Sequence, residues 1–383
     1  MMTERIERPD ADRPVLVTGA GGFVGGHVAR RLAREGYRVR AVSRRPPGVE
    51  PGDPAMEWVV GDLRSDEERR RATAGVGAIV HAAGWVSLGS DAKGESRAVN
   101  VDVTAALVER GRAEGVEGFV YTSTLWTVAA GTAEEPADEE SAWNLEAIRS
   151  PYCETKREAE RLVLEANGPG LRTAVLCPGL VVGPRDARPS STRLLLTMAA
   201  HPVVVLPGGG IPVVDAGVVA LAHQRALERA EGGRRYAIVG DYLSYAEMAR
   251  MVARVAGRPR WIVPIGDGAE RPLTGLARWA ARLARGRSGE LSAASVAGGF
   301  LRLHVSGARA DAEFGLVHPP PVRSIAAALD DHRRSGRAPW LRPARIVEAG
   351  GSPGRGGGPE AGDRQTTEGA DGPLADRPTG VLG

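Results

Sequence analysis

The feature that most constrains this chain is a glycine-rich turn between a short apolar run and an amphipathic stretch. VTGAGGFVGGHVARRL (17–32) places Gly19, Gly22 and Gly25 in the spacing T-G-x-x-G-x-x-G, with Gly21 among them. PVLVT (14–18) before it reads as a strand, and residues 22–35 carry helical spacing up to Gly36. In such a turn the first glycine permits a tight reversal. The second lets backbone approach a pyrophosphate, and the third lets helix and strand pack closely. The helix start offers free N–H groups and a positive dipole end to phosphate. Gly19, Gly21, Gly22, Phe23, Val24 and Gly25 are therefore the expected dinucleotide-binding segment.

Strands and helices alternate after this turn. YRVRAVS (37–43), MEWVVGD (56–62), GAIVHAA (77–83), GFVYTST (118–124) and LRTAVLCP (171–178) read as strands, and 95–114 and 151–167 as helices. That alternation predicts an α/β fold with a doubly wound parallel Rossmann sheet. The expected organisation is a flexible leader (1–13), a dinucleotide-binding domain (14–178), a smaller C-terminal substrate lobe (179–342) and a disordered tail (343–383). In the lobe, VVVLP (203–207) and RYAIVG (235–240) read as strands and 216–230 as a helix. Ser244 and Glu247 form a capping-box signature before another helix. PLTGLARWAARLAR (272–285) is basic and amphipathic; a lobe helix with a solvated arginine face is preferred over a membrane-surface helix. The tail is rich in Gly and Pro and has no Phe, Trp or Tyr, so it lacks the apolar surface to offset ordering entropy.

Composition narrows the function class. Of 383 residues, 42% are hydrophobic and 25% charged, enough apolar material for a sizeable core. The net charge of +3, without a basic stripe interleaved with aromatics, argues against nucleic acid. The two cysteines, Cys153 and Cys177, support neither a disulfide scaffold nor a zinc site and read as free thiols of a reducing compartment. No metal site is expected. No apolar run reaches the roughly 18 residues of a membrane span. The charged N-terminus has no signal-peptide core, so a cytoplasmic location is expected.

Two local features carry the chemistry. The second strand ends Ser43-Arg44-Arg45, where an NAD site usually carries an acid for the ribose 2′-OH. Paired guanidiniums suit a 2′-phosphate, so NADP is the expected cofactor, with NAD left open. SPYCETK (150–156) then sets Tyr152 and Lys156 at i and i+4, on one helix face. A lysine cation one turn away, beside an oxidised nicotinamide, lowers a tyrosine pKa and makes it a usable acid–base group. Lys93 and Lys156 are the only lysines, so a lysine at this spacing stands out. Thr124, or less favourably Ser123, ends the strand where it can hold a carbonyl beside Tyr152. Asn100 is expected to order a relay water or brace its helix. Asp62 is placed to meet adenine, and His81 to meet the cofactor or serve structurally.

Together these residues resemble the extended short-chain dehydrogenase/reductases, also called the NAD-dependent epimerase/dehydratase family. The resemblance spans about 14–335 and rests on TGAGGFVG (18–25), GDL (61–63), HAAG (81–84), NV (100–101), TST (122–124), YCETK (152–156), CPGLVVGPRD (177–186) and VDAGVVALAH (214–223). It implies hydride transfer with Tyr152 as acid/base and Lys156 as its electrostatic partner and a cofactor ligand. It also implies cofactor contacts from Leu63, Ala82, Ala83, Gly84 and Pro178. CPGLVVGPRD is similar to the dihydroflavonol-reductase-like and 3β-hydroxysteroid-dehydrogenase-like branch, and Pro178-Gly179 replaces the F-N pair of nucleotide-sugar epimerases.

This sequence departs from the family pattern at Thr124 (commonly Ser), Cys177 (commonly Arg) and Val218 (commonly Asp). Leu125 stands where dehydratases often carry an acid. Trp85, Leu88, Leu125 and Trp126 are expected to give the substrate loops an apolar lining. The reading is an NAD(P)-dependent oxidoreductase acting on a ketone or secondary alcohol of a small, moderately apolar molecule. The alternatives are an epimerase/dehydratase with retained NAD and a non-catalytic dinucleotide sensor. By analogy with the family, a homodimer would pair through 95–114 and 151–167.

Overall fold

The computed structural model describes residues 12–45, 52–87, 91, 94–189, 191–283 and 292–343. The chain begins as β1 (Val15–Thr18), α1 (Phe23–Arg34), β2 (Val39–Ser43), β3 (Glu57–Val60), α2 (Asp66–Thr73) and β4 (Ala78–His81). A continuous helical run follows: α3 (Glu95–Arg97), a π-turn (Ala98–Asp102) and α4 (Val103–Ala113). Then come β5 (Gly118–Thr122), α5 (Pro151–Glu165) and β6 (Arg172–Pro178). Next are β7 (Leu180–Val182), α6 (Thr192–Ala200), β8 (Val203–Pro207), β9 (Gly210–Asp215), α7 (Ala216–Arg229) and β10 (Arg234–Ile238). The chain continues through β11 (Tyr242–Ser244), α8 (Tyr245–Val255), β12 (Trp261–Ile265), α9 (Glu270–Leu283), α10 (Ala293–Phe300), α11 (Ala308–Phe314) and α12 (Pro321–Arg334).

Seven strands form one parallel sheet in the order β10-β6-β5-β4-β1-β2-β3. Period-two alternation sends Leu16, Ile79, Phe119, Tyr121 and Val175 to one face, where α4 and α5 supply Leu107 and Val163. Val15, Val17, Val80, Val120 and Leu176 go to the other, against Val28 and Leu32 of α1 and Leu227 of α7. Both faces of the central strands are buried, which is why VLVT of β1 and AIVH of β4 read as unbroken apolar runs, while the edge strand β3 stays half exposed. The strand order reverses between β1 and β4, and ligands bind at such a crevice.

The boundary expected at 178/179 does not hold for the sheet. β10 pairs in parallel with β6, Arg234 opposite Ala174 through Ile238 opposite Pro178. α7 packs on α1, where Arg31 Nε donates to Gln224 Oε1 at 2.8 Å and the Tyr37 hydroxyl to Glu228 Oε1 at 2.8 Å. Residues 216–238 therefore complete the dinucleotide-binding layer. The rest of 179–342 forms smaller sheets, β11-β9-β7 and β12-β8, with flanking helices. One apolar cluster runs from Phe119 of β5 to Met248, Leu303 and Leu329, so the two parts share a core.

Other expectations meet the structure unevenly. The leader does not run to Arg13: its guanidinium donates to the carbonyl oxygens of Gly115 at 3.0 Å, Val76 at 2.5 Å and Glu114 at 2.9 Å. The capping box at α8 is present in both directions. α9 presents Leu276 (58% exposed) and Trp279 (59%) to solvent beside exposed Arg271 and Arg278, so its outer face is not purely arginine. Residues 1–11, Leu88 and the tail from 344 lie outside the described residues. Among the described residues, no helix is long and apolar enough to cross a membrane.

Candidate active site

The glycine turn folds as its spacing requires. Gly19 has φ +68°, and a Cβ there would stand 2.8 Å from the Ala83 backbone nitrogen. That closeness brings the turn after β1 against the loop after β4. Helix α1 starts at an N-cap, Gly22, that offers no side-chain cap, and its first turn holds no acid. Its first N–H groups have neither side-chain partner nor repelling charge, which suits a pyrophosphate.

These elements line a cleft of about 390 Å³. Gly19, Gly21, Gly22 and Phe23 form its floor, and Ser43, Arg44 and Arg45 close one end with Asp62, Leu63 and Arg64. Ala82, Ala83 and Gly84 line the wall near Val99 and Val103. Gly25 is buried beneath the turn, while Val24 packs into the core and does not line the cleft. Pro178 is buried at the end of β6 and does not line it either.

Asp62 does not present a free carboxylate to the cleft: Arg64 pairs with it at 2.6 Å and holds it below the usual aspartate range. The sequence reading missed the far wall, Arg185–Arg188. Arg185 adopts φ +68°, and its guanidinium meets Asp53, shared with Arg30, at 2.8 Å. Arg188 reaches the Gly21 carbonyl oxygen at 3.4 Å.

Gly84 joins the cleft to α5. A Cβ on it would stand 3.3 Å from Asn100 Oδ1 and 3.6 Å from Lys156 Nζ. Lys156 is buried and donates to the Tyr121 hydroxyl at 2.9 Å and the Thr122 carbonyl oxygen at 2.7 Å. Burial pushes its pKa down to about 7, opposed by the Glu160 charge. Tyr152 is buried and hydrogen-bonded to Thr124. Burial pushes its pKa up to about 12, with the Thr124 bond opposing. Tyr152 is thus held as the neutral phenol.

Ser123 and Asn100 are engaged elsewhere. The buried Ser123 hydroxyl donates to Glu160 Oε2 at 2.7 Å, so it does not share the role of Thr124. Asn100 braces the structure instead of offering its amide to a relay water. Its Oδ1 accepts from Trp85 N at 2.7 Å, and its Nδ2 donates to Trp85 O at 3.1 Å and Thr155 Oγ1 at 3.0 Å. His81 does not reach the cofactor cleft. It is fully buried, with Nδ1 at 2.7 Å from Thr18 Oγ1 and Nε2 at 2.9 Å from Thr104 Oγ1, and burial lowers its pKa to about 3.

Two other residues matter that the sequence reading gave no role. His223 of α7 places Nε2 2.7 Å from Thr122 Oγ1, tying α7 to the strand end beside Ser123. Glu160, four residues beyond Lys156, shares the face of α5 that carries Tyr152; that i+4, i+8 spacing was its available signal. Leu125 is 1% exposed and belongs to the core, not to a substrate wall. Trp85 and Trp126 are half-buried, and Trp143 Nε1 donates to the Trp126 carbonyl oxygen at 3.1 Å.

Residues 15–238 match the family model described as NAD dependent epimerase/dehydratase family. The chain belongs to this family. Among relatives of this epimerase/dehydratase chain is a 3-beta-hydroxysteroid dehydrogenase of Mycolicibacterium neoaurum, 32% identical over 266 residues, covering 66% of this chain and 72% of the relative. A sterol demethylase protein B of Methylococcus capsulatus is 31% identical over 249 residues, covering 64% and 75%. The solved structure of gox2253 superimposes with a TM-score of 0.72 at 28% identity, covering 85% of this chain and 99% of that one. As a member of the family, the chain is an NAD(P)-dependent oxidoreductase or epimerase.

Proposed function

We propose that this protein is an NADP-dependent reductase of a ketone on a small, moderately apolar molecule, able to oxidise the matching secondary alcohol. The observation that carries the reading is the buried Tyr152 phenol, hydrogen-bonded to Thr124 on the face of α5 that also carries Lys156. A phenol held neutral is poised to give its proton to a developing alkoxide, and Thr124 can donate to the same oxygen. Lys156, one helical turn away, supplies positive charge that favours the tyrosinate left behind. When bound, the dinucleotide supplies the hydride. The uncapped start of α1 and the glycine turn suit its pyrophosphate.

Arg44 and Arg45 at the cleft end support NADP, since guanidinium forks suit a 2′-phosphate. Relatives named as steroid dehydrogenases and as a 2-alkyl-3-oxoalkanoate reductase support an apolar carbonyl substrate. The buried Leu125 offers no acid for dehydration. The test is a side-by-side fluorescence titration with NADPH and NADH, followed by a carbonyl panel that includes 3-oxosteroids and β-keto acids. Tighter NADPH with turnover of apolar ketones supports the reading. Protein purified with NAD already bound, without turnover of any ketone, would sink it in favour of an epimerase.

A further inference from the structure

Three successive residues at the end of β5 are each held by one face of α5. The Thr122 carbonyl oxygen accepts from Lys156 Nζ at 2.7 Å, the Ser123 hydroxyl donates to Glu160 Oε2 at 2.7 Å, and Thr124 is bonded to Tyr152. The helix positions are 152, 156 and 160, one turn apart. Glu160 is 4% exposed, deep beneath the residues that face substrate. Arg235 of β10 pairs with it at 3.2 Å and donates to the carbonyl oxygens of Glu139 at 2.6 Å and Thr127 at 3.3 Å. The Thr127 hydroxyl donates to the Thr124 carbonyl oxygen at 2.7 Å and lies 3.3 Å from Ser123 Oγ.

We propose that Glu160 is a positioning residue for the reaction site: it fixes the strand end that carries Thr124 through Ser123 and stands as the counter-charge to Lys156 from one turn below. The catalytic meaning rests on the reductase reading above; the charge coupling does not. A buried ammonium without a counter-charge gives up its proton. Lys156 faces the Tyr121 hydroxyl and ring from β5, the neutral His81 from β4 and Cys177 from β6, with Tyr152 and Glu160 on its own helix. Glu160 is the acidic side chain of this group. Arg235 pairs with its Oε1, and beyond Arg235 lie Glu139 and Arg309. The charge that sustains Lys156 is thus anchored to the edge strand of the sheet.

The small number of lysines makes the coupling measurable. Lys93→Arg leaves Lys156 as the sole lysine of the 383-residue chain. In that background, full-length protein labelled with ε-13C-lysine gives one carbon signal that titrates with Lys156. Glu160→Gln should lower the midpoint by about one pH unit, the scale of a nearby buried charge. Glu160→Asp, which keeps the charge, should restore most of it. Ser123→Ala should leave the midpoint unmoved and lower kcat by roughly tenfold with KM little changed, the effect of a small misplacement at the reacting group. The alkaline limb of kcat/KM for ketone reduction should move down with the Glu160→Gln midpoint.

An unmoved Lys156 midpoint in Glu160→Gln overturns the charge coupling, and an unchanged kcat in Ser123→Ala overturns the positioning. Where Glu160→Gln does not fold, Glu160→Asp and Ser123→Ala decide the matter. A midpoint lowered slightly in Glu160→Asp but not in Ser123→Ala, with lowered kcat in both, supports the inference; an unmoved Glu160→Asp midpoint overturns the charge coupling, and wild-type kcat in both overturns the positioning. Failure of the parent protein to bind either dinucleotide overturns the reductase reading alone, because the carbon titration needs no cofactor.

Discussion

Thr122 meets His223 at 2.7 Å, hydroxyl to Nε2, while its backbone carbonyl accepts from Lys156. One residue at the end of a central strand therefore joins helices on opposite faces of the sheet. The hydroxyl reaches α7 and the carbonyl reaches α5. The position of Thr124, two residues on, depends on both.

The His223 contact makes acid stability measurable. His223 is fully buried, and burial lowers its pKa to about 4 from an ordinary value near 6.5. The unfolded chain then binds a proton that the folded chain refuses, so stability is present above about pH 6.5 and lost as pH falls toward 4. His81, lowered to about 3, adds to the same window. His223→Gln should flatten the fall in Tm between pH 6.5 and 4.5 while costing about 1–2 kcal/mol at pH 7 through its broken bonds. Melting curves across pH check this; a parallel fall in variant and parent would refute it.

Tyr152→Phe removes the phenol hydroxyl and leaves the ring in place. Turnover should drop by roughly 10²–10⁴-fold, the worth of a positioned proton donor. Dinucleotide affinity should stay within about twofold. Wild-type turnover in this variant would remove Tyr152 from the chemistry.

Arg44→Ala with Arg45→Ala should weaken NADPH by about 10–100-fold and NADH hardly at all, because only NADPH carries the 2′-phosphate. The difference should shrink in high salt as screening grows. Paired titrations at two ionic strengths read both effects. Equal losses for the two cofactors would show that the arginines do not read the phosphate.

Gly19→Ala forces an L side chain into φ +68° and into the Ala83 backbone 2.8 Å away. Strain of about 1–3 kcal/mol is expected from the backbone alone. The variant should stay folded, with a lower Tm, and lose dinucleotide binding because the turn can no longer approach the loop after β4. Calorimetry with and without NADPH tests this: a full ligand-induced rise in Tm would mean the turn does not cradle the cofactor.

The legible parts of this protein were the local ones. The glycine spacing, the strand that precedes it and the apolar period that follows are set within about 20 residues, and the structure places all of them as read. The alternation of strands with helices likewise specified a parallel sheet. Tyr152 and Lys156 were legible because one turn of helix fixes their spacing.

What misled the reading was long-range. Nothing local says that RYAIV adds to the edge of a sheet whose previous strand ended about 55 residues earlier, so the lobe is smaller than 179–342. Residue spacing shows the charge beside the Tyr152 phenol but not its burial, which pushes its pKa up. Ser123, Asn100 and His81 carry polar groups that a sequence cannot pair, and their partners Glu160, Trp85, Thr18 and Thr104 lie 15 to 63 positions away. Sequence by itself determined which segments turn, pair or coil, because backbone sterics and side-chain periodicity act over one or two turns. Tertiary packing alone decided which polar groups face the cleft and which are spent bracing it, because hydrogen-bond partners and desolvation are properties of the assembled core.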